Sequence, residues 1–355
     1  MRSLSFHSRL HIIPLLALTL LISGCQQEDS LDFRYQDYLE RVSNVLDLDT
    51  PDQPKPEAIA YPDRRSRLIE IPAFDQGVVE VWDFRRCGLM SLINQRNSNL
   101  GKVLQPSQRF IYEYRFWQKL EPCYGQRQQW LDEDADFVQR LEATYQHKIK
   151  IRPLVVHQLF FAGEELENQL SQSQQAFLPD ARPEYKQVAE ALSTLATIAE
   201  NPYGVGVNTE TLETHLQNLN RQPILHSLLK SLQVSTLRLN QVADILENRL
   251  DQRPVCLQGA STPKAKILFN VLQKYYLQAI QPVIAHHSRM ANQLLSPSHR
   301  IFSAAEPETT LATYQQRWLS QQDDQGLWQR FQNANRRHTE VWNRLLRQCG
   351  LFPNR

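Results

Sequence analysis

Two groups of residues in this chain have types and spacings that can do chemistry. One is the five cysteines, Cys25, Cys87, Cys123, Cys256 and Cys349. The other is a run of polar side chains interleaved with aromatics. It begins at Trp82-Asp83-Phe84-Arg85-Arg86, passes through Asn94-Gln95-Arg96-Asn97 and ends at Arg109-Phe110-Ile111-Tyr112-Glu113. Within that run Arg86, Asn94, Arg96, Asn97, Arg109 and Glu113 form the candidate polar site. Arg109 and Glu113 stand four apart, a spacing at which opposite charges on one helix can pair. Set against Arg96 and Asn97 across a turn, they have two readings. The functional one is a small pocket for an anionic group, or a tip that docks a partner. The structural one is a self-satisfied network that fixes the register of two helices, which is the commoner use of such networks.

Other chemistry is not encoded in recognisable form. Gly-x-Ser-x-Gly, His-Glu-x-x-His and Gly-x4-Gly-Lys-Ser/Thr are absent. Gly204-Val205-Gly206 comes after a helical stretch, so it reads as a turn and not as a phosphate loop. His286 and His287 are adjacent on a predicted helix and point about 100° apart, poor geometry for sharing one metal. No metal site and no cofactor is expected. Glu164-Glu165 and Asp323-Asp324 read as solvated faces, with nothing apolar in the sequence around them to raise a pKa. Trp318, Trp328, Phe331 and Trp342 recur at helical spacing, and core packing is the ordinary fate of large aromatics.

Cys25 has a context of its own. Arg2 and Arg9 precede an apolar run from Ile12 to Ile22, and the run ends in Leu21-Ile22-Ser23-Gly24-Cys25. This looks like a bacterial lipoprotein signal, with residues 1–24 removed and a diacylglyceryl group on Cys25. The run falls short of the roughly 18 apolar residues that a spanning helix needs. Gln26 comes after the cysteine in place of the Asp that retains lipoproteins in the inner membrane. The expected address is therefore the inner leaflet of the outer membrane, facing the periplasm.

That compartment is oxidising, so the four remaining cysteines are expected to be bridged and not reactive. None lies in Cys-x-x-Cys, and Cys87 reads as mid-helix, where no helix start favours its thiolate. At 1.5 Å per residue Cys87 lies about 14 Å back from the hairpin turn, and Cys123 lies just past a helix of about 20 Å. Cys256 precedes one long helix and Cys349 ends the one that returns. The expected pairs are Cys87 with Cys123 and Cys256 with Cys349. By chain entropy they are worth about 4 and nearly 5 kcal/mol before strain in the folded state reduces it.

These residues need elements to position them, and the composition supplies helices. Only 11 of 355 residues are glycine, while Leu and Gln abound. Acidic and basic residues nearly balance, 38 against 39, which leaves no overall field for nucleic acid, and none is expected as a partner. Helical periodicity runs through Leu31 to Leu46, Val78 to Arg96, Ser107 to Leu120, Gln129 to Ile149 and Leu154 to Leu170. It resumes in Pro183 to Glu200, Thr209 to Leu219, Ile224 to Leu250, Thr262 to about Leu295 with a kink at Pro282, and Glu308 to Gln348. Proline-rich Asp47 to Tyr61 is a linker or a loop laid over the core, and residues 67–72 are a short extended segment without a partner strand. The sequence thus predicts an all-α, elongated multi-helix bundle of nine or ten helices. The chain divides into four segments: the signal peptide 1–24; a lipidated tether, first helix and linker 25–62; an N-terminal helical region 63–222 with the hairpin 78–123; and a C-terminal long-helix region 223–355.

At the hairpin, Arg86-Cys87-Gly88-Leu89, Arg96-Asn97-Ser98, Leu100-Gly101-Lys102, Pro106-Ser107 and Glu121-Pro122-Cys123 resemble an uncharacterised family of gammaproteobacterial predicted lipoproteins, known as a domain of unknown function. The likeness supports the envelope address and implies no catalytic residue. The expected role is a non-enzymatic envelope protein, held to the membrane by its lipid anchor, that docks a protein partner or scaffolds an assembly. The alternative is an enzyme or binding protein acting on an envelope component such as peptidoglycan or lipid, which requires a pocket with convergent polar groups.

Overall fold

The computed structural model describes residues 30–52, 54–74, 78–171, 175–204, 206–257, 259–305 and 309–352, with the backbone alone for 78–80 and 309. The expected signal segment, residues 1–24, and Cys25 lie outside the described residues. Among these residues every regular element is helical and no strand is present. The α-helices of six residues or more number thirteen: α1 Leu31–Leu46, α2 Val78–Asp83, α3 Met90–Asn97, α4 Pro106–Gly125, α5 Ala135–Phe161, α6 Glu164–Ser171, α7 Lys186–Glu200, α8 Thr209–Arg221, α9 Leu225–Gln252, α10 Pro263–Val271, α11 Gln281–Ala304, α12 Thr309–Tyr314 and α13 Leu327–Gln348.

Thirteen exceeds the expected nine or ten because several long periodic stretches are interrupted by local chemistry. Val78 to Arg96 is not one helix. Gly88 sits at φ +66°, and its N–H returns to the carbonyls of Arg85 and Phe84, closing a 3₁₀ turn that separates α2 from α3. Cys87 therefore ends that turn instead of lying mid-helix. Glu308 to Gln348 is also broken. Ser320 Oγ accepts the N–H groups of Gln322 and Asp323, and the Asp323 carboxylate accepts that of Gln325, so side chains displace helical bonds just before α13. Thr262 caps α10 through the Ala265 N–H with Pro263 in its first turn, as expected, but a π-turn at Leu272–Leu277 ends that helix. Pro282 then opens α11 instead of kinking a longer helix, and α11 continues past Leu295 to Ala304. In the other direction, α5 runs unbroken through Pro153, where two helices were expected, and α4 passes Pro122 to end at Gly125.

The core is organised on α9, which packs against α13, α1, α11 and α6. The expected seam of Leu225, Leu228, Leu232, Ser235, Leu239, Val242 and Leu246 is fully buried. Every other residue from Leu225 to Ser235 is buried as well, which sets the first three turns of α9 in the interior. Polar side chains trapped there need partners, and two of them find theirs by holding down distant loops. Ser231 Oγ accepts the Phe177 N–H at 2.9 Å, and Lys230 donates to the Glu57 carbonyl at 3.1 Å. Buried Gln169 of α6 accepts the first two N–H groups of α9, from Ile224 and Leu225, and donates to the carbonyls of Leu219 and Gln222. The proline-rich stretch after α1 is accordingly an ordered loop over the core, with Ile59 buried beneath it. Trp318, Trp328, Phe331 and Trp342 are core residues. Buried apolar residues from Leu31 to Leu346 form one cluster.

Both cysteine pairs stand at disulfide distance, Cys87 with Cys123 at a Cα separation of 5.4 Å and Cys256 with Cys349 at 5.1 Å. The first ties the 3₁₀ turn to the last turn of α4. The second joins the loop after α9 to the end of α13.

Candidate functional site

The hairpin that carries the candidate residues is fixed at its base before it offers anything at its tip. Arg140 of α5 donates to Asp83 at 2.5 Å, and Arg86 pairs with Asp134 at 3.0 Å while its guanidinium lies over the Phe137 ring. Arg86 is thus part of the base. At the tip the chain turns through a closely bonded loop. Ser98 Oγ donates to the Gln95 carbonyl and accepts the Gly101 N–H, and Arg96 donates to the Gly101 carbonyl. A Cβ on Gly101 would collide with the Gln95 carbonyl oxygen, so only glycine lets the loop fold back this closely.

Residues 68–74 supply the opposite wall. After a helical turn at Arg64–Arg67 the chain is extended, as expected near residues 67–72, and its carbonyls are satisfied by side chains instead of a strand. Gln158 donates to Ile69 at 2.7 Å, and His157 bonds the Arg67 carbonyl at 3.0 Å. Phe74 then stacks on His147 of α5, with ring centroids 4.6 Å apart.

Between this wall, the hairpin and α5 lies a pocket of about 300 Å³. Arg96, Asn97, Arg109 and Glu113 line it together. Asn94 is exposed on α3 and, like Arg86, takes no part in the lining. Lys102, Tyr112, His147 and Lys148 also line it and were not among the candidate residues. Lys102 stands in the Leu100-Gly101-Lys102 motif, a signal that was available. Lys148 comes from a helix 35 residues beyond Glu113, and no spacing rule points to it.

Arg109 and Glu113 do not form the expected pair. Glu113, only 4 % exposed, accepts from Lys148 Nζ at 2.6 Å, and the same ammonium sits 4.3 Å from the centre of the Phe116 ring. The lysine stem rises from the facing helix along apolar surface and reaches the buried carboxylate with its head. Arg109 is left with a buried Nε that has no hydrogen-bond partner among the described residues. Burial lowers its pKa; Glu113 opposes that shift and Arg96 adds to it. Burial, followed by Lys148, depresses His147 below the usual histidine value, so the imidazole is neutral at pH 7. Burial, with Glu113 next, pushes the Tyr112 hydroxyl up and keeps it a protonated donor. Among the described residues the lining presents four cations against one carboxylate.

Such a set has the chemistry to hold an anion. Guanidinium groups offer paired donors to a carboxylate or phosphate, and a low-dielectric wall strengthens each bond. A wider groove of about 740 Å³ beside α9 and α13 differs, because Lys55, Arg330, Arg336 and Arg337 there are mixed with Glu57, Asp324 and Glu340. Elsewhere the acidic doublets diverge. Asp323 is partly exposed and bonded to its turn and Asp324 is exposed, whereas burial raises the Glu165 pKa, against the expectation of a solvated face. Among the described residues no cluster of three or more metal-ligating side chains occurs, and no helix is long and apolar enough to cross a membrane.

No curated protein and no solved structure matches the chain. A family model described as a protein of unknown function matches residues 35–353, from within α1 to beyond the end of α13. Since that match takes in the hairpin, the pocket and the core helices alike, the chain belongs to the DUF3080 family of proteins of unknown function.

Proposed function

We propose that this protein is a lipid-anchored binding module of the cell envelope that takes an anionic group, phosphate or carboxylate, in the pocket between the hairpin and α5. Attachment through Cys25 and a place on the inner leaflet of the outer membrane, facing the periplasm, are part of the reading and rest on the signal sequence. The observation that carries the binding role is the convergence of Arg96, Lys102, Arg109 and Lys148 on one cavity, with Arg109 Nε unpartnered among the described residues. A hairpin serving only as a brace would pair such charges internally, as the base of this one does. The pocket therefore favours binding of an envelope component, or of an anionic group on a protein partner, over bare scaffolding.

Binding without chemistry fits the walls. Glu113 is held by Lys148, Thr144 by the Arg140 carbonyl and His147 by the Phe74 ring. The test uses the chain from Gln26 onward, which contains every helix described. Calorimetric titration with inorganic phosphate and with acetate should show saturable binding of at least one of them. Arg109→Gln should weaken it at least tenfold, and Arg344→Gln, on an exposed pair with Asp251, should leave it unchanged. No saturable binding at millimolar anion would overturn the pocket reading. Incorporation of labelled palmitate that persists in Cys25→Ala would overturn the anchor.

A further inference from the structure

The tip loop does more than close the hairpin. Leu100 and Val103 are 81 % and 72 % exposed, the two most exposed large apolar side chains among the described residues. They are not loose. Val103 N–H bonds the Leu100 carbonyl at 3.2 Å and Lys102 N–H bonds the Ser98 carbonyl at 3.1 Å, while the Ser98 hydroxyl and Arg96 lock Gly101. In such a 3₁₀ turn side chains at i and i+3 eclipse, which puts Leu100 and Val103 on the same side. Between them in sequence, Lys102 lines the pocket, and Leu104 is packed against the core. The loop therefore spends one glycine and a set of hydrogen bonds on holding two aliphatic groups in water beside a cationic cavity.

Each half of this arrangement specifies part of a ligand. The cavity asks for an anion, and its size admits a headgroup but not a pair of acyl chains. The aliphatic pair asks for apolar surface outside the cavity. We propose that the pocket and tip loop together bind the headgroup of an anionic, phosphate-bearing glycerolipid at a bilayer surface, with Leu100 and Val103 entering the acyl boundary. Arg96, Arg109 and Lys102 hold the phosphate. Charge complementarity selects an anionic surface, and an aliphatic pair flanked by cations is the arrangement by which peripheral proteins seat on one. This inference rests on the anion-pocket reading and goes beyond it in naming the source of the anion and the face that meets the membrane.

The experiment uses the chain from Gln26 onward, without its lipid, in cosedimentation with vesicles of phosphatidylcholine alone or with one third phosphatidylglycerol. Soluble glycerol phosphate is titrated in parallel. The protein should partition at least tenfold more onto the anionic vesicles. Leu100→Ser/Val103→Ser, at two exposed positions, should keep the melting temperature of the parent. It should lose most vesicle binding yet hold glycerol phosphate within twofold of the parent affinity. Arg109→Gln should weaken both. Vesicle binding that ignores Leu100→Ser/Val103→Ser or Arg109→Gln would be bulk adsorption and would overturn the proposal. Glycerol phosphate binding without vesicle binding would overturn the lipid inference and leave the pocket standing. Absence of both would remove both.

Discussion

Arg67 and Arg109 lie within one half of the chain and meet opposite fates. Arg67, 1 % exposed, donates to the Pro62 carbonyl at 2.9 Å, to the Phe161 carbonyl at 2.6 Å and to Glu167 at 2.6 Å, and it also lies over the Tyr61 ring. Each of its three guanidinium nitrogens is bonded, joining an extended segment to α5 and α6. Arg109 is half-buried beside Arg96 and has a hidden Nε with nothing to bond among the described residues. A buried cation with all its bonds made is a brace. One with bonds left over, at the wall of a cavity, is free to bond something outside the chain, which is the role proposed for Arg109. Arg238 falls on the brace side, bonding Asp32 through two nitrogens at 2.7 and 3.2 Å and Gln241 through a third.

Substitutions can break this contrast. The largest effects belong to the covalent braces, which close sequence separations of 36 and 93 residues. Cys256→Ala/Cys349→Ala should cost about 3–4 kcal/mol in urea unfolding and leave anion affinity untouched. Cys87→Ala/Cys123→Ala should cost about as much and also weaken binding, because it frees the base of the hairpin. Equal loss of binding in both variants would mean that the pocket has no local anchor. Arg67→Ala comes next, at about 3 kcal/mol, since it strands two carbonyls and takes a charge partner from half-exposed Glu167. Arg109→Gln should move stability by less than about 1 kcal/mol while reducing affinity. If the two arginines swapped effects, brace and site would be misassigned.

A subtler test is acid. Burial holds His287 and His338 down at about 3, against an ordinary value near 6.5. As pH falls below 6.5 the unfolded chain takes up protons that the folded chain refuses. The stability these groups contribute is complete above about pH 6.5 and is lost progressively toward pH 3, at up to about 1.4 kcal/mol per unit for each group. His287→Leu should flatten that slope by one proton in urea melts between about pH 6.5 and 4. The smallest change concerns Glu113→Gln, which removes the only carboxylate among the described lining residues. Anion affinity by calorimetry should rise a few-fold, and a fall would mean that the ligand meets Glu113 as a donor.

How far the sequence revealed this site depends on where each side chain gets its partner. Arg96, Asn97, Arg109 and Glu113 were found because they lie in one run on two consecutive helices. Arg86 and Asn94 belong to the same run but look away, since Gly88 breaks the helix between Arg86 and the tip and alters the phase of α3. Lys148 and His147 reach the pocket from α5, and Phe74 from a segment without periodicity. The expected Arg109–Glu113 pair failed for the same reason, because a lysine on a facing helix competes for the carboxylate and no local spacing rule contains it.

Periodicity and capping residues determined by themselves that the chain is helical, that Thr262 and Pro263 open a helix, and that the seam of α9 from Leu225 to Leu246 is interior. These depend on backbone bonds and on which face is apolar, and both are written in neighbouring residues. The cysteine pairs are those expected, although the helices on which that expectation rested are broken, at Gly88 beside Cys87 and again before α13. The tertiary structure decided where helices stop under side-chain competition, and which cation each buried carboxylate accepts. It also decided that the charges left over converge on a single cavity beside two exposed aliphatic groups. Desolvation sets the strength of those interactions, and it is a property of what surrounds a group in space, not of its neighbours along the chain.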